Sequence, residues 1–236
     1  MKQKFTILFD LDGTLVDTAP DLMLAHNHVM KKFGYPTKST EDIRNLVGKG
    51  AGALIGRSIW GQAKKEFHSV DDLKIKDDMS KEFISFYGKN ILHESTLING
   101  VKEFLIWCKK ENISMAVCTN KTEHLAVDLL KKIGIYDYFE YVAGHNTFEY
   151  CKPDPRHLST IIEILDGDID KSLMIGDSET DANAGKAAGI PVILLENGYT
   201  EKHTTEIYHN HLIKDFIDIE KIIKKYLWYW LIYFNY

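Results

Sequence analysis

Short apolar runs alternate with amphipathic segments over most of this chain. The runs are typical of strands buried on both faces of a parallel sheet, and they cover residues 5–9, 113–118, 141–143, 172–175 and 191–195. The segments that separate them repeat their apolar residues with helical spacing, over residues 101–110, 123–133, 155–165 and 180–188. Strands that alternate with helices predict an α/β fold of the doubly wound kind, with a parallel sheet at its centre.

The interval between the first two runs breaks this alternation. It comprises residues 10–112, far more than an ordinary crossover connection needs. Helical patterning recurs within it in four segments, at residues 21–33, 40–47, 50–59 and 70–87. We therefore expect a small helical cap domain over residues 18–97, inserted into an α/β core formed by residues 1–17 and 98–227.

Composition and charge narrow the classes of function. The 236 residues are 44% hydrophobic, enough for a full core, and the formal net charge of −5 does not favour nucleic-acid binding. The three cysteines, Cys108, Cys118 and Cys151, form no CxxC pair and show no metal-like spacing. This odd number, with an N-terminus that lacks a secretory apolar region, predicts a cytoplasmic protein. The sequence leaves open whether it is a monomer or a homodimer.

Residues 226–236 are almost wholly apolar and aromatic. This segment is far shorter than the roughly 20 residues of a membrane-spanning helix, and we expect no membrane partner. We treat residues 228–236 as an aromatic C-terminal extension, either the end of a last helix packed on the core or a disordered, sticky segment. An interfacial anchor and a dimer contact are the weaker alternatives, since Trp and Tyr favour both settings.

Two carboxylates follow the first apolar run, in the segment Asp10-Leu11-Asp12-Gly13-Thr14. A buried carboxylate at the end of a strand must be paired, protonated or bound to a metal. One of the two could act as a nucleophile and the other as a general acid and base, with a hard cation screening them. The segment alone could also be a strand that ends in an Asp-Gly turn.

Polar residues also follow the later strands. They are Thr119, Asn120 and Lys121 after the second strand, Lys152 beyond the third, and Asp177 and Asp181 after the fourth. The carboxyl ends of parallel strands meet at one edge of the sheet, where open α/β folds bind ligands. The carboxylates suit Mg²⁺, and the lysine and threonine suit a phosphate. Taken singly, these residues could be helix caps, surface turns or an exposed helix acid; their common edge favours a site.

In this order, the motifs resemble those of the haloacid dehalogenase superfamily. The matching motifs are Asp10-Leu11-Asp12-Gly13-Thr14, Thr119-Asn120-Lys121, Lys152-Pro153, and Gly176-Asp177 with Asp181, and the likeness covers the chain to about residue 227. Within the superfamily, residues 47–51 and 99–101 are most similar to bacterial phosphoglycolate phosphatases. The resemblance implies a Rossmann-like core with a helical cap, and a Mg²⁺-dependent phosphatase that acts on a small phosphorylated substrate.

The resemblance further implies a role for each matching residue. Asp10 would attack phosphorus to form an aspartyl-phosphate, and Asp12 would protonate the leaving group and then activate water. The phosphoryl group would be bound by Thr119, Asn120 and Lys152, the last of which also supports catalysis. Mg²⁺ would be held by Asp10, the backbone carbonyl of Asp12, Asp177 and, in support, Asp181.

The choice of substrate rests on the helical cap. The expected substrate is 2-phosphoglycolate, and Arg44 and Lys49 are candidate partners for its carboxylate, although both could be solvated surface charges. The alternatives are a pyrophosphatase, a nucleotide or sugar phosphatase of the same branch, and a β-phosphoglucomutase-like isomerase, whose relatives have Glu where this chain has Arg156. Asp12 argues against the metal-free dehalogenases, which lack a carboxylate there. A non-catalytic binding protein is the alternative from a different class.

Overall fold

The computed structural model, which describes the backbone of residues 4–61 and 69–233, is built around a sheet of six parallel strands. In chain order, the strands are β1 (Thr6–Phe9), β2 (Val16–Asp17), β3 (Thr96–Leu97), β4 (Ser114–Cys118), β5 (Tyr141–Ala143), β6 (Ser172–Gly176), β7 (Val192–Leu195) and β8 (His211–Ile213). The order across the sheet is β5-β4-β1-β6-β7-β8. The first strand thus lies in the middle of the sheet and later strands are added on both sides of it, which confirms the predicted doubly wound α/β core.

The helices follow the predicted segments closely, with ends displaced by a few residues. They are α1 (Ala19–Phe33), α2 (Thr40–Arg44), α3 (Ala51–Trp60), α4 (Val70–Lys89), α5 (Val101–Lys110), α6 (Glu123–Ile133), α7 (Arg156–Ile164), α8 (Glu179–Ala188) and α9 (Ile219–Tyr233). Helices α1 to α4 lie between β2 and β3, which confirms a helical insertion after the first strand of the main sheet.

The side chains of β1 alternate between the two faces of the sheet. Ile7 and Phe9 lie in the larger apolar cluster, whereas Leu8 lies in the smaller one. All three side chains are fully buried, because helices cover both faces. A strand in this position needs apolar residues throughout, which is why its run is continuous. The residue after β1, Asp10, therefore lies at the centre of the carboxyl edge.

The insertion is tied to the core at both of its ends. Strands β2 and β3 form an antiparallel ribbon, in which Val16 is opposite Leu97. Next to it, the buried carboxylate of Asp21 in α1 accepts hydrogen bonds from the backbone N–H groups of residues 93–95 and from the Ser95 hydroxyl. This ribbon was not predictable from the sequence, because strands of two residues have no periodicity to detect.

The C-terminal helix α9 continues through the start of the aromatic extension. The ring of Trp230 packs edge-on against Phe5, with the ring centroids 4.2 Å apart. The proposed division of the chain after residue 227 thus falls inside α9, and residues 234–236 lie outside the described part. The limits 1–17, 18–97 and 98–227 remain proposals. Within the described ranges, no helix has the length and hydropathy required to cross a bilayer.

Candidate active site

The loop after β1 brings Asp10 and Asp12 to the carboxyl edge of the sheet. The backbone N–H of Asp10 donates to the carbonyl of Ile175 in β6 at 2.9 Å, which extends the sheet pairing to this residue. Gly13 then turns the chain with a φ of 82°, in the left-handed region. A Cβ at Gly13 would lie 2.2 Å from Oδ2 of Asp177. Glycine at this position therefore permits the close approach of the two acidic loops.

Three buried carboxylates meet at this edge, and we call them the acid cluster: Asp10, Asp177 and Asp181. One oxygen of each lies within 4.8 Å of the others. Asp177 is held from two sides, because its Oδ1 accepts from the Thr14 hydroxyl at 3.0 Å and its Oδ2 from the backbone N–H of Tyr199 at 2.6 Å. The cluster contains three of the four residues predicted to bind metal.

Burial changes the proton affinity of these carboxylates. Burial raises the pKa of Asp10 to about 6, and the charge of Lys152 offsets this only in part. Burial, together with the charges of Asp10 and Asp181, raises the pKa of Asp177 well above its ordinary value. Carboxylates crowded in this way ionise together only when positive charge neutralises them. A donor set of carboxylate oxygens suits a hard cation, so these residues fit Mg²⁺.

Lys152 supplies positive charge inside the acid cluster. Its Nζ lies 2.9 Å from Oδ1 of Asp10 and 2.5 Å from Oδ1 of Asp181. Burial lowers the pKa of this ammonium, but the two carboxylates raise it well above its ordinary value, so Lys152 stays charged. Asp181 is fixed in turn, because its Oδ2 accepts from the hydroxyl and the backbone N–H of Ser178 at 2.6 and 3.1 Å. Asp181 thus positions the lysine and caps α8.

The carboxylate of Asp12 has a different partner. Nζ of Lys121 donates to its two oxygens at 2.8 and 3.1 Å. The Lys121 side chain is only 5% exposed, and that of Asp12 is 12% exposed. Among the four residues predicted to bind metal, Asp12 is the one whose carboxylate is not in the acid cluster of the described residues. Its backbone carbonyl is therefore the contact that we retain for the metal.

Thr119 and Asn120, which follow β4, use their side chains differently. Thr119 is buried at the strand end, where its hydroxyl accepts the backbone N–H of Lys121 at 3.2 Å and keeps its own hydrogen for an acceptor such as a phosphate oxygen. The side-chain amide of Asn120 instead donates to the carbonyls of Gly48 at 3.1 Å and Lys152 at 3.0 Å. Both side-chain donors of Asn120 are thus used, which leaves its backbone N–H for the predicted phosphate contact.

A small cavity, which we call the chamber, opens where the insertion meets the core. Its volume is about 120 Å³, and it joins the core residues Asp12 and Lys121 to apolar residues of the insertion such as Leu22, Leu54 and Phe83. Pockets for drug-sized ligands typically measure about 300–1,000 Å³. The chamber therefore admits only a small group next to Asp12.

The two cations predicted to select the substrate lie elsewhere. Arg44 pairs with Asp17 at 2.7 Å, and its guanidinium lies 5.3 Å from the ring centroid of Tyr199. It lines a separate cavity of about 710 Å³, and Lys49 lines a third cavity near the start of α8. Neither residue is part of the chamber lining. The selection of substrate by Arg44 and Lys49 stays a prediction; in this structure a carboxylate engages Arg44, and the cation that lines the chamber is Lys121 of the core.

Comparison with known proteins assigns the family. A family model described as haloacid dehalogenase-like hydrolase matches residues 7–195 of the chain. The chain belongs to this family. It is 38% identical over 210 residues to a phosphoglycolate phosphatase of Mesorhizobium japonicum, covering 89% of this chain and 90% of the relative. It is also 38% identical over 223 residues to a phosphoglycolate phosphatase of Agrobacterium fabrum, covering 92% of this chain and 94% of that relative.

A solved structure supports the same assignment. The crystal structure of a predicted phosphoglycolate phosphatase from Haemophilus somnus superposes on this haloacid dehalogenase-like hydrolase with a TM-score of 0.84 and 31% identity. The match covers 94% of this chain and 99% of that one. The two proteins therefore share their fold over 94% of this chain.

Sequence reasoning missed how two residues contribute to the site of this haloacid dehalogenase-like hydrolase. The sequence predicts Lys121 only as part of the motif after the second strand, yet its side chain binds Asp12. Tyr199 binds Asp177 through its backbone, while its hydroxyl donates to Asp17 at 2.5 Å and accepts the N–H of Ala19 at 2.8 Å. The available signals were the positions of the two residues after β4 and β7. A lysine before a helix and a tyrosine in a loop are too common to assign by position.

Proposed function

We propose that this protein is a Mg²⁺-dependent phosphomonoesterase that hydrolyses a small phosphorylated acid, 2-phosphoglycolate, to glycolate and phosphate. The observation that carries the proposal is that the charged Lys152 contacts both Asp10, which follows the central strand β1, and Asp181. Phosphoryl transfer depends on positioning and on neutralising charge, and this arrangement does both. The names of the relatives from Mesorhizobium japonicum and Agrobacterium fabrum support the choice of substrate.

In the proposed first step, an Asp10 oxygen forms a bond to phosphorus while the ester P–O bond breaks. Asp12 enters this step protonated, gives that proton to the oxygen of the leaving alcohol, and becomes the carboxylate, the form in which both of its oxygens accept from Lys121. Water then attacks phosphorus with Asp12 as the base, and the Asp10 carboxylate leaves with its electron pair as phosphate is released. Lys152 stays charged through both steps and stabilises the negative charge that builds up on the phosphoryl oxygens.

The proposed phosphate contacts come from the ends of two loops. The Thr119 hydroxyl and the Lys152 ammonium donate to phosphoryl oxygens, and the backbone N–H of Asn120 supplies a further donor. The proposed Mg²⁺ ligands are the carboxylates of Asp10 and Asp177 and the backbone carbonyl of Asp12, with Asp181 acting through Lys152 and its neighbours. When bound, Mg²⁺ supplies positive charge that lets the acid cluster ionise and screens the phosphate.

The chamber favours a substrate with a small leaving group. Its volume of about 120 Å³ suits a glycolate better than a nucleoside. Pyrophosphate and a sugar phosphate remain the alternatives of the same branch. The mutase alternative is weakened by Arg156, which pairs with Asp154 at 2.7 Å on the surface where relatives of that isomerase have Glu.

The test is the initial rate of phosphate release from a panel of 2-phosphoglycolate, pyrophosphate, glucose 1-phosphate and nucleoside monophosphates, with Mg²⁺ and with a chelator. We expect the highest rate on 2-phosphoglycolate and loss of that rate with the chelator. Asp10→Asn should abolish it, whereas the matched control Asp128→Asn, on the surface of α6 where Asp128 pairs with Lys132, should not. A higher rate on another ester would replace the substrate, and chelator-resistant turnover would contradict the metal requirement.

A further inference from the structure

Lys121 is a buried lysine shared between the core and the helical insertion. Its Nζ bonds to both oxygens of Asp12 and also donates to the Tyr87 hydroxyl at 2.9 Å. The ammonium lies 4.3 Å from the centroid of the Tyr87 ring. An ammonium has three N–H donors, and here each has an acceptor. In the described part of the chain, Lys121 is the one lysine or arginine that lines the chamber.

This contact restricts the orientation of Asp12. A carboxylate bound to solvent rotates freely about its last side-chain bond, whereas one bonded through both oxygens to a fixed donor does not. Lys121 is fixed because the rest of its side chain is buried and because Tyr87 holds its Nζ. Such an arrangement keeps the carboxyl group aimed into the chamber, where the leaving group of a substrate would lie.

Tyr87 makes this restriction depend on the insertion. It belongs to α4, is fully buried, and stacks on Phe83 of the same helix with an interplanar angle of 2° and centroids 6.0 Å apart. Phe83 also lines the chamber. The hydroxyl that holds Lys121 is therefore in place only when α4 is packed on the core.

We propose that Lys121 is a positioning residue for Asp12, and that Tyr87 makes this positioning conditional on the packing of α4. The inference rests on the proposed phosphomonoesterase chemistry, in which Asp12 protonates the leaving oxygen. Lys121 does not touch the reacting phosphorus; it acts by holding the carboxyl group in line with the proton acceptor. Its loss should therefore matter most for leaving groups that cannot depart without a proton.

Two substrates of similar size separate this role from a structural one. Acetyl phosphate releases acetate, a weak base that leaves without a proton, whereas 2-phosphoglycolate releases an alkoxide that needs one. General acid catalysis typically contributes about 10²–10⁴-fold to the rate. The second step, hydrolysis of the aspartyl-phosphate, is common to both substrates, so the comparison uses kcat/KM, which reports the steps through the first phosphoryl transfer. For Lys121→Met, we expect kcat/KM to fall by at least about 10-fold on 2-phosphoglycolate and by less than about 3-fold on acetyl phosphate.

Three further comparisons make the result decisive. Tyr87→Phe keeps the buried ring and removes only the hydroxyl, and should give a smaller loss with the same selectivity. In an Asp12→Asn background, Lys121→Met should cause no additional loss on 2-phosphoglycolate, because the residue acts through Asp12. Lys131→Met removes another lysine that lies over a tyrosine ring, 4.9 Å from the Tyr136 centroid, and should change neither rate.

The outcomes distinguish this proposal from the proposed function. Equal losses on both substrates in Lys121→Met, with no selective effect of Tyr87→Phe, would overturn the positioning role while leaving the phosphatase intact. If Lys121→Met does not fold, Tyr87→Phe decides alone, and an unchanged ratio of the two rates overturns the role. A wild-type protein that hydrolyses neither substrate would overturn the proposed function as well.

Discussion

The charged side chains at the site are almost all paired with one another, and this pairing defines what each residue can do. Lys152 bonds to Asp10 and Asp181, and Lys121 bonds to Asp12. Because removing one partner leaves the other charge buried and uncompensated, substitutions here lower stability as well as activity. Variants that keep the shape of the side chain, such as Asp10→Asn, are therefore the informative ones.

His157 supports this network without carrying charge. Its Nδ1 accepts the backbone N–H of Lys152 at 3.2 Å, which requires a ring nitrogen without a proton. Burial, and then the charge of Lys152, lower the pKa of His157 from its ordinary value of 6.5 to about 3. The loop that carries Lys152 thus depends on a neutral histidine.

We expect His157→Asn to make folding less sensitive to acid. The unfolded chain protonates this histidine below about pH 6.5 and the folded chain only near pH 3, so acid favours the unfolded state. Below about pH 6.5, the free energy of unfolding of the wild type should therefore fall relative to that of His157→Asn, by about 1.4 kcal/mol for each pH unit. Urea unfolding from pH 7 to pH 4 measures it.

A matched histidine gives the control for this experiment. His124 is exposed on α6. We expect the difference in free energy of unfolding between His124→Asn and the wild type to stay constant from pH 7 to pH 4. A constant difference in free energy of unfolding between His157→Asn and the wild type over the same pH range would contradict the assignment of a neutral, buried ring.

At the level of elements, strands covered on both faces are predictable, whereas most strands of two or three residues are not; β5, at the edge of the sheet, is the exception. The residues of β1, β4 and β7 are all buried, so their apolar runs were visible in the sequence. Strands β2, β3 and β8 have two or three residues each, and neighbours in space decide their pairing. The acid cluster was predictable for a related reason, because Asp10 and Asp177 directly follow strands and Asp181 lies in the first turn of the helix after β6.

Contacts between distant parts of the chain could not be predicted in this way. Lys121 meets Tyr87 of α4, and Tyr199 meets Asp17 of β2. The spacing of residues along the chain predicts local structure, and it does not predict which residue of an inserted helix contacts a loop of the core.

Helix α9 is the element whose contribution to stability is easiest to test. Trp230 packs on Phe5 and the core, whereas Trp228 is 67% exposed. We expect Trp230→Ala to lower the free energy of unfolding by about 2 kcal/mol and Trp228→Ala to change it by less than about 0.5 kcal/mol. Chemical denaturation of both variants measures the difference. Equal stabilities would show that the aromatic extension does not contribute to the core.

At the scale of the whole molecule, three contacts join the insertion, or the ribbon at its base, to core residues next to the site. Gly48 binds Asn120, Tyr87 binds Lys121, and Asp17 at the ribbon binds Tyr199. The three core residues in these contacts also bind residues of the proposed chemistry: Asn120 binds Lys152, Lys121 binds Asp12, and Tyr199 binds Asp177. The position of the insertion and the geometry of the site are therefore coupled, and the small chamber lies at their junction.

The central claim is that Asp10 becomes phosphorylated. Asp12→Asn with acetyl phosphate and Mg²⁺ should allow this step, since acetate leaves without a proton, and should slow the hydrolysis that needs a base. After acid quenching, mass spectrometry of the peptide that contains Asp10 should show the gain of one phosphoryl group, absent from the Asp10→Asn, Asp12→Asn double variant. A phosphoryl group on another residue, or phosphate release by the double variant at the rate of Asp12→Asn, would contradict the account.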